Sequence, residues 1–186
     1  KVRGAVRQMP CPGLVSDVER IAVGSLYKDV DWSSALSGME SVVHLAARVH
    51  VMHEFEEDPL AEFRMVNVTA TINLARQAAL AGVKRFVFIS SVKVNGESTP
   101  VDRPFTAEDV PVPVDPYGVS KYEAEAALTE IAEETGMELV IIRSVLVYGP
   151  GVKGNFMELM FWLEKGLPFP LGSINNQRSL VSLDNL

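Results

Sequence analysis

Lys84-Arg85-Phe86-Val87-Phe88-Ile89-Ser90-Ser91 is the stretch that decides the fold. Its centre is a short, unbroken apolar run between charged residues and serines, which predicts a strand buried inside a sheet and not an amphipathic helix. On its N-terminal side a helical pattern runs from Pro59 to Ala81, with apolar residues at Phe63, Val66, Ala70, Leu74 and Ala78. Asp58 is placed to cap it, Pro59 suits its first position, and Gly82 stops it. Further back lie strand patterns at Ser41–Ala47, Glu19–Val23 and Val2–Val6. On the C-terminal side a second long helix is predicted over Pro116–Thr135, capped by Asp115 and closed by Gly136. A strand at Met137–Arg143 follows, then a weaker helix over Asn155–Lys165. Strands alternating with helices predict an α/β fold with a parallel sheet covered on both faces.

Composition narrows the class. The 186 residues suffice for one core; 47% are apolar and 22% charged, and the net charge is −7, which argues against disorder. No apolar run reaches the roughly 18 residues that span a bilayer. With 24 acidic against 17 basic residues there is no electrostatic footprint for nucleic acid. The single cysteine, Cys11 between Pro10 and Pro12, excludes an internal disulfide framework and fits a reducing compartment. The start, Lys1-Val2-Arg3-Gly4, has no apolar stretch like that of a signal peptide. The expectation is a soluble, cytoplasmic protein. Ser98–Pro116 holds five of the 11 prolines and is expected to be an ordered, non-regular excursion with a functional reason.

Tyr117-Gly118-Val119-Ser120-Lys121 opens the second long helix, and its i,i+4 spacing puts phenol and ammonium on one face. A phenol of pKa about 10 is a poor base at neutral pH. A lysine charge about 4–5 Å away, at an effective dielectric near 20, favours phenolate by roughly 3–4 kcal/mol before lysine's own desolvation. Such a pair alone is a weak signal; its position raises it. The helix follows the proline-rich excursion, which itself follows a strand ending Ile89-Ser90-Ser91, at the sheet end where open α/β folds bind ligands. Ser91 could hold a substrate oxygen there, or simply cap the turn.

Other candidates have plainer readings. His50 and His53 have no third ligand at metal spacing, so no metal is expected. His44, inside an apolar strand, reads as a satisfied core histidine. Glu54, Glu56, Glu57 and Asp58 read as a solvated run that favours the next helix start. Met157, Met160, Phe161 and Trp162 read as packing residues.

Taken in order, several segments resemble the extended short-chain dehydrogenases/reductases, in their nucleotide-sugar epimerase and dehydratase branch. They are Val42-Val43-His44-Leu45-Ala46-Ala47, Asn67-Val68, Phe88-Ile89-Ser90-Ser91 with Val94-Asn95-Gly96, Pro116 to Lys121, Arg143 with Val147-Tyr148-Gly149-Pro150, and Arg178 leading to Asp184. The resemblance implies a Rossmann-type doubly wound sheet. It also implies a Ser91–Tyr117–Lys121 triad, in which Tyr117 is acid and base, Lys121 binds the nicotinamide ribose and lowers the Tyr117 pKa, and Ser91 holds the reacting oxygen. Leu45, Ala46 and Ala47 match the loop that passes the cofactor, and Asn67 a position supporting the site. Asn155 and Arg178 match positions contacting the substrate diphosphate, for which an arginine has suitable fork geometry.

Departures refine this. No Gly-x-x-Gly-x-x-Gly turn occurs, and Lys1–Val6 resembles the second strand and not the first. The central strand of a 3-2-1-4-5-6 sheet is then missing, which would part the first two strands from the rest, as in a piece of a longer protein. On this reading residues 1–150 are a partial NAD(P)-binding domain, and 151–186 begin the nucleotide-sugar region. Val92-Lys93 follow Ser91 where 4,6-dehydratases carry Asp-Glu, which argues against dehydration. Ser144 and Leu146 replace a common proline and asparagine and leave the sugar open. Arg7 after the second strand suits the 2′-phosphate of NADP, so NAD and NADP both remain open. The resemblance implies an NAD(P)-dependent nucleotide-sugar epimerase of the UDP-glucose 4-epimerase type, acting at C4 as a homodimer. The alternatives are an NADPH-dependent ketoreductase of a UDP-4-keto-6-deoxy sugar and a non-catalytic cofactor-sensing protein on the same fold.

Overall fold

The structure, a computed structural model, describes residues 2–10, 17–26, 29–49, 58–152, 154–166, 168 and 176–186. Residues 1–143 and 144–186 form two compact units. In the first, β1 (Arg3–Val6) pairs in parallel with β2 (Glu19–Ala22). Its Arg3 guanidinium donates to the carbonyls of Ser34, Ala35 and Ser37 at 2.9–3.1 Å, which closes the end of a short helix α1 (Ser33–Leu36). A separate sheet has the order β3 (Ser41–His44), β4 (Arg85–Ser91), β5 (Glu138–Ser144), with β3 and β4 parallel. Among the described residues β1 and β2 pair with none of β3, β4 and β5.

The predicted helix over 59–81 is divided. It runs as α2 (Pro59–Arg64), a π-helical turn over Met65–Thr69, and α3 (Ala70–Leu80). The Asp58 carboxylate accepts from the Ala61 N–H at 3.1 Å and caps α2 as its sequence position predicted. The second long helix, α4, spans Pro116–Thr135, capped by Asp115 and closed by Gly136 in the left-handed conformation. The strand predicted over 41–47 ends at His44, and Leu45, Ala46 and Ala47 lie beyond it with no regular secondary structure.

The core shows which face of the sheet is sealed. Phe86 and Phe88 of β4 are fully buried against Leu74, Ala75 and Ala78 of α3 and Ala124, Leu128 and Ile131 of α4. Val87 and Ile89, on the opposite face, are half-buried, and Val43 is open. Burial on both faces was expected from the apolar run; among the described residues α3 and α4 cover one. His44 is the satisfied core histidine expected: its Nε2 lies 3.0 Å from Thr71 Oγ1, and its ring stacks on Phe88.

The second unit holds two short strands that the periodicity did not reveal, β6 (Leu146–Tyr148) paired in parallel with β7 (Leu180–Ser182), and helix α5 (Asn155–Glu164). Met157, Met160, Phe161 and Trp162 were read as packing residues. They are about half exposed, on a helix whose turns are apolar nearly all round. No described helix is long and apolar enough to cross a membrane.

Candidate active site

The site is built on the start of α4 and the tip of β4. Asp115 Oδ1 accepts from the Gly118 N–H at 2.6 Å, fixing the first turn of α4. Gly118 is needed for contact and not for its φ: a Cβ there would lie 2.9 Å from the Lys93 carbonyl oxygen and 3.3 Å from Pro113 Cβ. The turn after β4 therefore presses against the helix one residue past Tyr117. Lys93 Nζ, 3.0 Å from Asp115 Oδ2, ties the two by charge.

Tyr117 and Lys121 both reach β4. The Tyr117 phenol hydrogen-bonds the Ser91 side chain, and its ring meets Phe63 edge-on at 6.1 Å between centroids. Ser91 Oγ also accepts from the Lys93 N–H at 3.3 Å, so it caps the turn and meets the phenol at once. Lys121 Nζ is buried, donates to the Ile89 carbonyl at 2.6 Å and sits 3.9 Å above the centre of the Phe88 ring.

The electrostatics correct one expectation. Lys121 was expected to draw the Tyr117 pKa down. Instead the phenol is pushed up from its ordinary value, first by burial and then by the Asp115 charge, and the Ser91 hydrogen bond only partly opposes this. The ammonium spends its charge on Ile89 O and the Phe88 face. Burial in turn lowers the Lys121 pKa to about 8, against the opposing charge of Glu125.

Two polar networks surround the pair. Asn67, in the π-helical turn, accepts from the Arg48 N–H at 2.8 Å. It donates to Arg48 O at 3.0 Å and to Ser120 Oγ at 2.9 Å, and Ser120 Oγ donates to Tyr117 O at 2.8 Å. The segment Leu45-Ala46-Ala47 is thus held at its far end while its own residues stay open or half-buried. A π turn placing one side chain out of helical phase is a recurrent device at functional sites. In the second network, Glu125 receives Ser90 Oγ and the Nε and Nη2 of Arg143, and Arg143 Nη1 donates to Asn95 Oδ1 at 3.4 Å. Sequence reading singled out neither Glu125 nor Ser120. The signal for Glu125 was there: Tyr117, Lys121 and Glu125 follow one another at four-residue steps on α4.

The structure brings Ser91, Tyr117 and Lys121 together. Arg7 is exposed just after β1, on the other sheet. Arg178 is exposed in the second unit, where Asn155 opens α5. The Asn155 side chain, Cys11, His50, His53, Glu54, Glu56 and Glu57 lie outside the described residues. Among the described residues no cluster of His, Cys, Asp or Glu could hold a metal.

Residues 5–181 match the model of the NAD dependent epimerase/dehydratase family. The chain is 53% identical over 165 residues to UDP-glucose 4-epimerase of Vibrio cholerae, covering 88% of this chain and 50% of the relative. Among solved structures, a short-chain dehydrogenase/reductase superfamily protein from Agrobacterium tumefaciens with bound NAD has a TM-score of 0.65 at 32% identity, covering 79% of this chain and 42% of that one. UDP-glucuronic acid 4-epimerase from Bacillus cereus, in complex with NAD, has a TM-score of 0.70 at 25% identity, covering 83% and 48%. The chain spans half or less of the length of these relatives.

Proposed function

We propose, from the premise that this chain belongs to the NAD dependent epimerase/dehydratase family, that it carries the acid–base centre of a nucleotide-sugar 4-epimerase acting on a UDP-hexose. The observation that carries this reading is the meeting of three groups at one strand tip: Tyr117 on Ser91, and Lys121 anchored to Ile89 O two residues earlier. The 53% identity to a UDP-glucose 4-epimerase supports the reaction type.

The residues fit a nicotinamide dinucleotide. Leu45, Ala46 and Ala47 follow the end of β3, the first two exposed and Ala47 half-buried, and the two alanines would let a flat ligand approach the backbone. Lys121 has three N–H donors, and among the described residues one is taken, by Ile89 O, which leaves others for ribose hydroxyls. When bound, the nicotinamide supplies a hydride acceptor that returns the hydride to C4. NAD is the dinucleotide named for the two solved relatives. Arg7, at the end of β1, is the residue that would favour the 2′-phosphate of NADP.

Tyr117, as the phenolate, would take the proton of the sugar 4-hydroxyl and, as the phenol, would return it to the 4-keto oxygen. Its raised pKa leaves it protonated in the free protein, so its own proton must first pass to solvent before it can act as the base, and Ser91 holds the sugar oxygen in line. Lys121, anchored to Ile89 O, orients the ribose. Residues 1–150 serve cofactor binding and 151–186 begin the sugar region, with Asn155 and Arg178 on the diphosphate. The reading includes a cytoplasmic homodimer, supported by the single cysteine and by the helical segments 59–80 and 116–135, of the kind the family pairs.

The test is product analysis with the intact protein. UDP-glucose and UDP-galactose should interconvert without net cofactor consumption. Stoichiometric oxidation of NADPH with a UDP-4-keto-6-deoxy sugar would instead make it a reductase, and failure of both reactions would end the nucleotide-sugar assignment.

A further inference from the structure

Glu125 is 4% exposed, charged, and has no part in the proton transfer described above. Burying a carboxylate is costly unless it is paired and hydrogen-bonded, and here both conditions are met. Arg143, from β5, grips it through Nε and Nη2, the latter at 2.8 Å. Ser90, from β4, donates its hydroxyl to Oε1. Arg143 also reaches Asn95 Oδ1, and Asn95 Nδ2 donates to Thr106 O at 3.0 Å, inside the proline-rich excursion. One carboxylate thus joins α4, both neighbouring strands and the segment between them. Its neighbours in sequence and space are the two groups at issue: Ser90 precedes Ser91, and Lys121 stands one turn before Glu125 on α4.

We propose that Glu125 is a positioning residue of this site: held by the Arg143 fork and by Ser90, it fixes α4 against the tip of β4, so setting where Tyr117 and Lys121 stand relative to Ser91. It acts through Lys121 as well as through distance. The titratable groups bearing on the Lys121 ammonium are Glu125, on its own helix, and His44, from β3; Arg143, from β5, faces Glu125. His44 is neutral near pH 7, since burial and the nearby ammonium hold its pKa to about 4. That leaves Glu125 as the carboxylate that supports the charged form of Lys121 against desolvation. The fork matters because a single-point cation at position 143 would balance the charge without fixing the plane of the carboxylate.

This inference rests on the reading of Ser91, Tyr117 and Lys121 as the reacting set, and its test separates the two. Glu125→Gln keeps the shape and can still bond Ser90 and Arg143, but it removes the charge. In the intact protein carrying 13C-labelled lysine, the Lys121 side-chain resonance, assigned with Lys121→Arg, reports its titration directly. Glu125→Gln should shift that titration to lower pH. The alkaline limb of kcat/KM should move down with it, and kcat should fall about 10- to 100-fold with KM changed far less, as for a small misplacement of reacting groups. Arg143→Lys should lower kcat while leaving the Lys121 titration nearer its original position. Ser90→Ala, which removes one arm and no charge, should cost less and leave the titration in place. A Glu125→Gln protein whose lysine titration and pH profile match the parent's overturns the proposal, even if it melts earlier, because a mere brace would do only that. If Tyr117→Phe leaves turnover intact while Glu125→Gln still shifts the lysine titration, the functional reading fails and the hold of Glu125 on Lys121 stands.

Discussion

Lys121 Nζ donates to the backbone carbonyl of Ile89 at 2.6 Å, so a buried ammonium adds to the apolar packing that holds α4 to the end of β4. Placing that charge in the core is unfavourable, and the lowered Lys121 pKa records it. A fold that keeps such a group has given up stability for a cation at a defined point, as functional sites do.

The charge state of this core leads to a stability profile with two slopes. Lys121 has its folded pKa lowered to about 8 from 10.5, so the unfolded chain binds more protons between those values and stability rises with pH across that window. His44, lowered to about 4 from 6.5, gives stability that is complete above 6.5 and is lost as pH falls towards 4, by about 3 kcal/mol at most. Melting temperatures measured from pH 4 to 10 should show both slopes. Lys121→Met should flatten the upper one and His44→Leu the lower one.

Asn67 holds the segment that follows β3. Asn67→Ala would leave the buried carboxamide's three partners without it: the Arg48 N–H, the Arg48 carbonyl and Ser120 Oγ. A loss of roughly 2–4 kcal/mol is expected, since unpaired buried polar groups bear their full desolvation cost. Amide hydrogen exchange at Arg48 should quicken well beyond that of Phe86 or Phe88. Equal acceleration of all three would mean that Asn67 holds the whole unit and not this segment.

Gly118 tests the close approach of the turn after β4. In Gly118→Ala the added methyl would meet the Lys93 carbonyl, which as backbone has little room to move. The expected cost is about 1–3 kcal/mol of stability by chemical denaturation. Turnover should fall further than stability alone explains, because Tyr117 is the adjacent residue. Unchanged activity in a protein of unchanged melting point would show that the turn yields freely.

The parts of this structure readable from sequence are those set by local chemistry. The Asp58 and Asp115 caps, the stops at Gly82 and Gly136, the buried run Phe86–Ile89 and the Tyr117–Lys121 step all follow from neighbours within a few residues. The parts that were not readable depend on long-range partners. The π turn at Met65–Thr69 exists where Asn67 meets Arg48 and Ser120, 19 and 53 residues away. The rise in the Tyr117 pKa came from burial, which helical spacing does not report. Leu146–Tyr148 is too short for periodicity to mark and becomes a strand only by pairing with Leu180–Ser182. Glu125 was legible as a third step on one helix face, but its meaning required Arg143 on a different strand.

The account stands on Tyr117 as the group that moves the proton, and the most direct measurement is turnover of the nucleotide sugar by Tyr117→Phe in the intact protein, with NAD binding followed in parallel. The variant keeps the ring that meets Phe63 and lacks only the hydroxyl on Ser91. The account predicts a fall in kcat of about 10²- to 10⁴-fold with NAD affinity within a few-fold of the parent's. Undiminished turnover by that variant would contradict it.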